Sequence, residues 1–259
     1  MPFHQPDTVR YYTFDLLNEA GINHAVFSRV GGVSPSPWDS LNVGGTVGDD
    51  PERVRQNRIR SLQSVGRTLE SVYDVWQVHS AVVVRADIPR LPEQSYVQAD
   101  ILITDRPEVT LYMRFADCVP ILLYDPRRHV VGLVHTGWLG TVRQAVSAAL
   151  QTMQAEYGTI PADILAGIGP SVSAHHYEVG KDVVDQVESV FGLDAQSLLP
   201  EYNGKVHFDL WSANRLLLER GGVRSIEISE ICTACHLEDW YSHRGEKGRT
   251  GRFGALINL

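Results

Sequence analysis

His79 in WQVHS, Cys118 in ADCVP and His135 in VHTGW are the side chains of this sequence best suited to chemistry. Imidazole and thiolate suit Zn²⁺, and three protein ligands leave a fourth position for water or substrate, the pattern of a catalytic rather than a structural zinc. The three lie far apart in the chain, so no local motif assembles them and the fold has to. The same residues admit a different reaction class, with Cys118 as nucleophile and His135 as its base.

Two apolar runs, at 119–124 and 130–134, are split by Asp125-Pro126-Arg127-Arg128. That tetrapeptide is a turn with proline at a favoured position, so the runs read as adjacent buried strands running antiparallel. Cys118 opens the pair and His135 closes it, which places both at the open end of a hairpin, on one rim of a sheet. His79 comes from another predicted strand end. Further strands are expected at 23–28, 72–78, 81–86, 101–104, 109–115, 163–169, 225–231 and 253–257.

Helical signals alternate with these strands. Asp49-Asp50-Pro51-Glu52 supplies capping carboxylates and a proline for the first turn of a helix through about residue 65, with Val54, Ile59, Leu62 and Val65 inward. Val142, Ala145, Val146, Ala149, Leu150 and Met153 share the face of a second helix that Gly158 ends. A third runs to Gly192, and a fourth is capped by Asp209 and stopped by Gly221-Gly222. Strands and helices mix without strict alternation, which favours α+β layers over a doubly wound parallel sheet. No repeat or linker interrupts the chain, so one domain is expected over residues 1–259.

Three cysteines in 259 residues cannot all pair, and such sparing use fits a reducing compartment. The N-terminus lacks the charged start and apolar core of a signal peptide, and no apolar run approaches a membrane span. A cytoplasmic protein is expected. The formal net charge of −8 excludes a general nucleic-acid binder, while leaving room for a local basic pocket that takes a small anion.

Two other constellations stand out. Arg29 lies beside Gly31-Gly32, and Arg244, Lys247, Arg249 and Arg252 lie in HRGEKGRTGRFG. Glycine-rich backbone can turn successive N–H groups onto an anion while arginines grip its oxygens, although GRTGRFG lacks the ending of a Walker motif. Cys232-Thr233-Ala234-Cys235-His236 matches the C-x-x-C-H pattern of haem attachment. Without an export signal it reads instead as two packed cysteines at a strand end, too few ligands for a zinc of their own. His175, His176 and His207 show no spacing that suggests partners and read as structural.

Taken together, several ordered stretches closely resemble the laccase-domain family, also called polyphenol oxidase or peptidoglycan-editing factor, which includes multifunctional purine nucleoside enzymes. They are SRVGGVS, PWDSLNVGGTVGDDPERVRQNR, WQVHS, ADCVPILLYD, HTGW, IGPSVSAHHYEVG and YSHRGEKGRTGRF, and they extend from Phe27 to the end of the chain. The resemblance implies a single domain of mixed β-sheets sandwiched by helices, with zinc on His79, Cys118 and His135. It implies phosphorolysis of adenosine, inosine, guanosine and methylthioadenosine, together with deamination of adenosine. Arg29 and Arg244 fall on arginines of family motifs, which makes them candidates for substrate or phosphate contacts. Asp117 is the candidate acid for the departing amine, or else an orienting residue beside the metal ligand. Purine nucleosides and phosphate are the implied partners, with neither nucleic acid nor membrane, and nothing in the sequence sets an oligomeric state.

The chain departs from the family pattern at Leu139 of HTGWLG and Gly245 of SHRG, both usual sites of arginine. Those departures bear on phosphate binding; the metal ligands are intact. Three alternatives stay open. One is a peptidoglycan-precursor editing hydrolase using a metal-activated water or Cys118, one a copper polyphenol oxidase, and one a metal-stabilised interaction protein. Blue-copper and trinuclear chemistry needs more histidines than this set offers.

Overall fold

The computed structural model describes residues 2–259. Strands that are apolar on both faces build its centre. In Val119–Asp125, Ile121 and Leu123 face one way into a cluster with the helices, while Leu122 and Tyr124 face the other way into a cluster shared with a second sheet. Val130–Thr136 divides its side chains likewise, Val130 and Val134 to the helices and Val131 and Leu133 to the opposing sheet. A strand covered on both sides loses the polar half of the usual alternation, which is why these read as continuous apolar runs.

Two six-stranded sheets face each other across that shared core. One runs in the order Ser225–Ile228, Leu165–Ile168, Val119–Asp125, Val130–Thr136, Ile101–Thr104, Val83–Arg85, parallel at its two outer pairs and antiparallel between. The other runs Phe3–His4, Tyr11–Tyr12, Asn23–Phe27, Phe253–Asn258, Thr110–Phe115, Val72–Tyr73. Helices Ala145–Tyr157, Lys181–Phe191 and Leu210–Arg220 cover the first sheet, and Pro51–Gln63 lies outside the second, where Leu62 joins Phe27, Leu41, Tyr112 and Leu256. The architecture is the expected α+β arrangement of mixed sheets between helices, with no barrel. No helix among the described residues is long and apolar enough to cross a membrane.

The end signals act as expected. Asp50 accepts the backbone N–H groups of Glu52 and Arg53 at 2.8 and 3.2 Å, and Asp209 that of Ser212 at 3.1 Å. Gly158 closes the Ala145–Tyr157 helix in the left-handed region with a φ of 66°. Elsewhere the structure differs from the pattern. Residues 72–78 keep only Val72–Tyr73 as strand, and 81–86 only Val83–Arg85, because the chain between turns aside to carry His79. The second helix is preceded by a separate turn, Trp138–Val142, broken from it by Gln144 at a φ of 59°.

Ile59 and Val65 are half-buried, and Asn57 and Ser61 are buried instead. Asn57 Nδ2 donates to Ser34 Oγ and to the carbonyls of Ser40 and Asn42, while its Oδ1 accepts from the Val33 N–H at 2.9 Å. A helix face that must knit a loop rather than meet a sheet therefore carries an amide. Gly31, at a φ of 101°, has no room for a Cβ, which would fall 2.3 Å from the Thr8 carbonyl oxygen.

Candidate active site and metal centre

The hairpin register places Pro120 opposite His135 and Val119 opposite Thr136, so Cys118 and His135 meet at the rim. His79 arrives from the loop after Trp76, with a φ of 58°. The ligand atoms of all three lie within 4.8 Å of one another, and Cys118 Sγ is 3.8 Å from His79 Nε2. A tetrahedral zinc with bonds of about 2.0–2.3 Å sets its nitrogen and sulphur ligands about 3.3–3.8 Å apart, so the set fits a metal with little rearrangement. Gly137 keeps the space open, since a Cβ there would sit 2.8 Å from Cys118 Sγ and 3.5 Å from His79 Cδ2.

Asp100, fully buried at the start of strand Ile101–Thr104, organises two of the three ligands. Its Oδ1 lies 2.8 Å from His135 Nδ1, which leaves Nε2 as the metal-facing nitrogen. Its Oδ2 accepts the Val78 and Ser80 N–H groups and the Ser80 hydroxyl, at 3.1, 2.6 and 2.8 Å, and so ties down both sides of His79. Arg143 adds a bond of 2.8 Å to the His79 carbonyl. A carboxylate behind a ligating histidine fixes its ring and raises its basicity.

The electrostatics follow from this packing. Burial raises the Asp100 carboxyl, but bonding and charge from His135, with the Ser80 donors, outweigh it and hold the group at about 2. Burial works against protonated His135, yet the Cys118 thiolate and Asp100 push it up to about 9. Burial likewise opposes the Cys118 thiolate, and the paired histidines bring it down to about 6. The sulphur is thus set up as a thiolate, the form that binds metal or attacks an electrophile.

Asp117, one residue before Cys118, takes a positive φ of 80° and turns its carboxylate away from the strand. Oδ1 accepts Thr233 Oγ1 and Ser242 Oγ, each at 2.7 Å, and Oδ2 accepts the Arg244 N–H at 2.6 Å. The Arg244 side chain extends past Tyr177, its guanidinium 5.0 Å from the ring centroid, and donates from one terminal nitrogen to the Glu178 carbonyl at 3.1 Å. It is exposed, and its remaining donors have no protein partner among the described residues. Arg252, half-buried, lies close enough for its charge to be felt by both Cys118 and Asp117.

Arg29 is differently placed. It is buried, with donors to the carbonyls of Asp39 and Leu237 at 2.6 and 2.8 Å and to Glu246 Oε1 at 3.0 Å, and its guanidinium stacks on Tyr241. Leu139 packs against the helical core, and a Cβ at Gly245 would approach Leu237 Cδ2 to 2.9 Å. The sequence reading missed Asp100 and Tyr177 altogether. It also separated His175 and His176 from Cys232 and Cys235, which the fold brings together.

Fold and site together define a two-sheet α+β protein with a His, Cys, His group able to hold a metal ion beside a cationic arm. The chain belongs to the family described as multi-copper polyphenol oxidoreductase laccase, which matches residues 23–259. It is 38% identical over 238 residues to a protein of Deinococcus radiodurans named purine nucleoside phosphorylase, covering 92% of this chain and 89% of that one. The crystal structure of YlmD from Geobacillus stearothermophilus superposes with a TM-score of 0.92 at 32% identity, over 99% of this chain and 98% of that one. The hypothetical protein YfiH of Bacillus licheniformis superposes with a TM-score of 0.90 at 29% identity, over 100% of this chain and 99% of that one.

Proposed function

We propose that this chain is a zinc-dependent purine nucleoside enzyme that phosphorolyses adenosine, inosine, guanosine and methylthioadenosine and also deaminates adenosine. The observation that carries this reading is the convergence of His79, Cys118 and His135 on one open-sided site, one peptide away from the arm that ends in Arg244. The names of the relatives supply the substrate class. Bound there by His79, Cys118 and His135, zinc would supply a Lewis acid with a position left for water or substrate.

In phosphorolysis the C1′–N9 bond breaks as a phosphate oxygen bonds to C1′, and the purine leaves with a proton on nitrogen. Arg244, with Arg252 behind it, holds the phosphate and orients it toward C1′. Tyr177 fixes the plane of the guanidinium. The Asp117 carboxylate is fully engaged by three donors, one of them the Arg244 N–H, so its part in the reaction is to hold the Arg244 backbone in register with Cys118. Arg29 braces the same wall through Glu246 and Tyr241. In deamination water adds at C6 of adenine and ammonia departs, leaving the C6 carbonyl, while Asp100 holds the His135 ring in place through Nδ1.

The test is product analysis of zinc-loaded protein given adenosine with and without phosphate. Adenine and ribose 1-phosphate are expected only with phosphate, and inosine in both. Finding none of the three would sink the proposal.

A second reading is favoured by one observation, the Cys118 sulphur set beside two histidine rings, 3.8 Å from His79 Nε2. In a peptidoglycan-precursor editing hydrolase Cys118 would attack an amide carbonyl, the protonated amine would leave, and water would cleave the resulting thioester to free the cysteine. A covalent adduct on Cys118 in active, metal-free protein would support it, and loss of all activity on chelation would oppose it.

A further inference from the structure

We propose that His175, His176, Cys232 and Cys235 form a second metal site, a closed four-ligand site for Zn²⁺ that pins the wall carrying Arg244. Neither half is a site alone. Residues 170–180 are a loop, and residues 232–235 are a turn closed by the Cys235 N–H on the Cys232 carbonyl at 3.2 Å. A parallel bridge between Ser171 and Cys232 brings them together, with Ser171 N–H on the Ile231 carbonyl at 3.2 Å and Thr233 N–H on the Ser171 carbonyl at 3.1 Å. The result places one ligand atom from each of the four residues within 4.8 Å of the others.

The surroundings are those of ligands rather than of idle side chains. His175 has Nδ1 at 3.0 Å from Ser173 Oγ, which orients the ring so that Nε2 meets Cys235 Sγ at 3.1 Å. The Ser173 N–H points at Cys232 Sγ at 3.4 Å, a backbone donor suited to a thiolate. The His176 ring lies 4.4 Å from that of His175. Tetrahedral zinc needs ligand separations of about 3.3–3.8 Å, so side-chain adjustments of about an ångström close the set. Two thiolates and two neutral imidazoles around Zn²⁺ make a neutral complex, and binding releases the two thiol protons to solvent. Cys232 is buried and the other three are exposed, which allows the ion to enter from outside.

Four protein ligands leave no position for substrate, so the ion's effect is mechanical. Thr233, between the cysteines, bonds Asp117, and Tyr177, next to His176, supports Arg244. The second metal therefore stiffens the arm that reaches the first site. The literal haem reading of CTACH does not fit, because Cys232 is buried with its sulphur taken by the Ser173 N–H, and His236 turns to Glu238.

The experiment is metal analysis of full-length protein purified under reducing conditions, followed by cobalt reconstitution of the Cys118→Ala variant. About two equivalents of zinc are expected in the wild type, and about one in Cys118→Ala or in Cys235→Ser. Cobalt-loaded Cys118→Ala should show the sulphur-to-cobalt charge-transfer band of a tetrahedral thiolate site, and His176→Ala or Cys235→Ser added to it should abolish the band. Metal-free Cys118→Ala with all its thiols titratable would overturn the proposal. So would binding unchanged by Cys235→Ser, or a Cys232–Cys235 disulfide in protein that holds one metal. None of these readouts needs nucleoside turnover, so the second site stands or falls apart from the proposed activity.

Discussion

Replacing Asp100 by asparagine tests how far the proposed metal centre depends on a residue outside its three ligands. Asp100 receives three donors at Oδ2, from Val78, Ser80 N and Ser80 Oγ, and one partner at Oδ1, His135 Nδ1. An asparagine carbonyl will take the three-donor side, since the opposite flip would set an NH₂ against two backbone N–H groups. Its NH₂ then faces His135 Nδ1, which must become the acceptor and move the imidazole proton to Nε2, the nitrogen the metal needs. Losing such a carboxylate typically costs about 10–100-fold in metal affinity, or roughly 1.4–2.7 kcal/mol.

Zinc affinity measured by competition with a chromophoric chelator should fall by that factor in Asp100→Asn, with the unfolding temperature nearly unchanged because the His79 loop stays tied. Asp100→Ala releases the loop as well and should bind more weakly still. An Asp100→Asn protein that is folded and binds zinc within about twofold of wild type would refute the tautomer argument, because the expected minimum loss is about tenfold.

Other outcomes follow from the same geometry. Gly137→Ala should fold, given its ordinary backbone angles, yet lose at least about tenfold in zinc affinity from a methyl 2.8 Å from Cys118 Sγ, read by the same competition assay. Arg244→Ala should raise the KM for phosphate by about 10–100-fold while leaving zinc content unchanged, as removal of a charged hydrogen-bond donor predicts; steady-state kinetics at varied phosphate decide it.

Asn57→Ala should cost about 3 kcal/mol of stability by stranding the Val33 N–H and the Asn42 carbonyl, measured as a shift in denaturant midpoint. Burial pushes His24 down to about 4, and the Phe14 N–H on its Nε2 keeps the neutral ring engaged. The folded state thus binds this proton less readily than the unfolded chain. Its contribution is complete above about pH 6.5 and is lost as pH falls toward about 4, by up to roughly 3 kcal/mol. Denaturation at about pH 7 and about pH 4.5 should show that loss in wild type and a smaller one in His24→Gln.

Much of this was legible in the sequence where the information is local. The hairpin of Val119–Asp125 and Val130–Thr136 is written in two apolar runs and a proline turn, so Cys118 and His135 could be set at one rim. The helix ends at Asp50, Gly158 and Asp209 are equally local. Asp100 was not visible because its role comes from register: Ile101 pairs with Val134 across the sheet, and only that pairing puts the carboxylate under His135. His175 and Cys235 lie sixty residues apart and meet through one parallel bridge between loops, which no spacing rule anticipates. Asn57 broke the apolar helix pattern because its neighbour is a loop with unpaired backbone groups rather than a sheet.

The adjacency of Asp117 and Cys118 fixes one length inside the site. Cys118 is one of the three converging side chains and Asp117 grips the Arg244 backbone, so the Cα atoms behind the two lie a covalent length of about 3.8 Å apart that cannot drift with packing. Substitutions in the outer loops can weaken either grip, but they cannot reset the span between them. The wall that carries Arg244 is therefore anchored to the strand end that carries Cys118 through one peptide unit and one carboxylate, whatever the surrounding loops do.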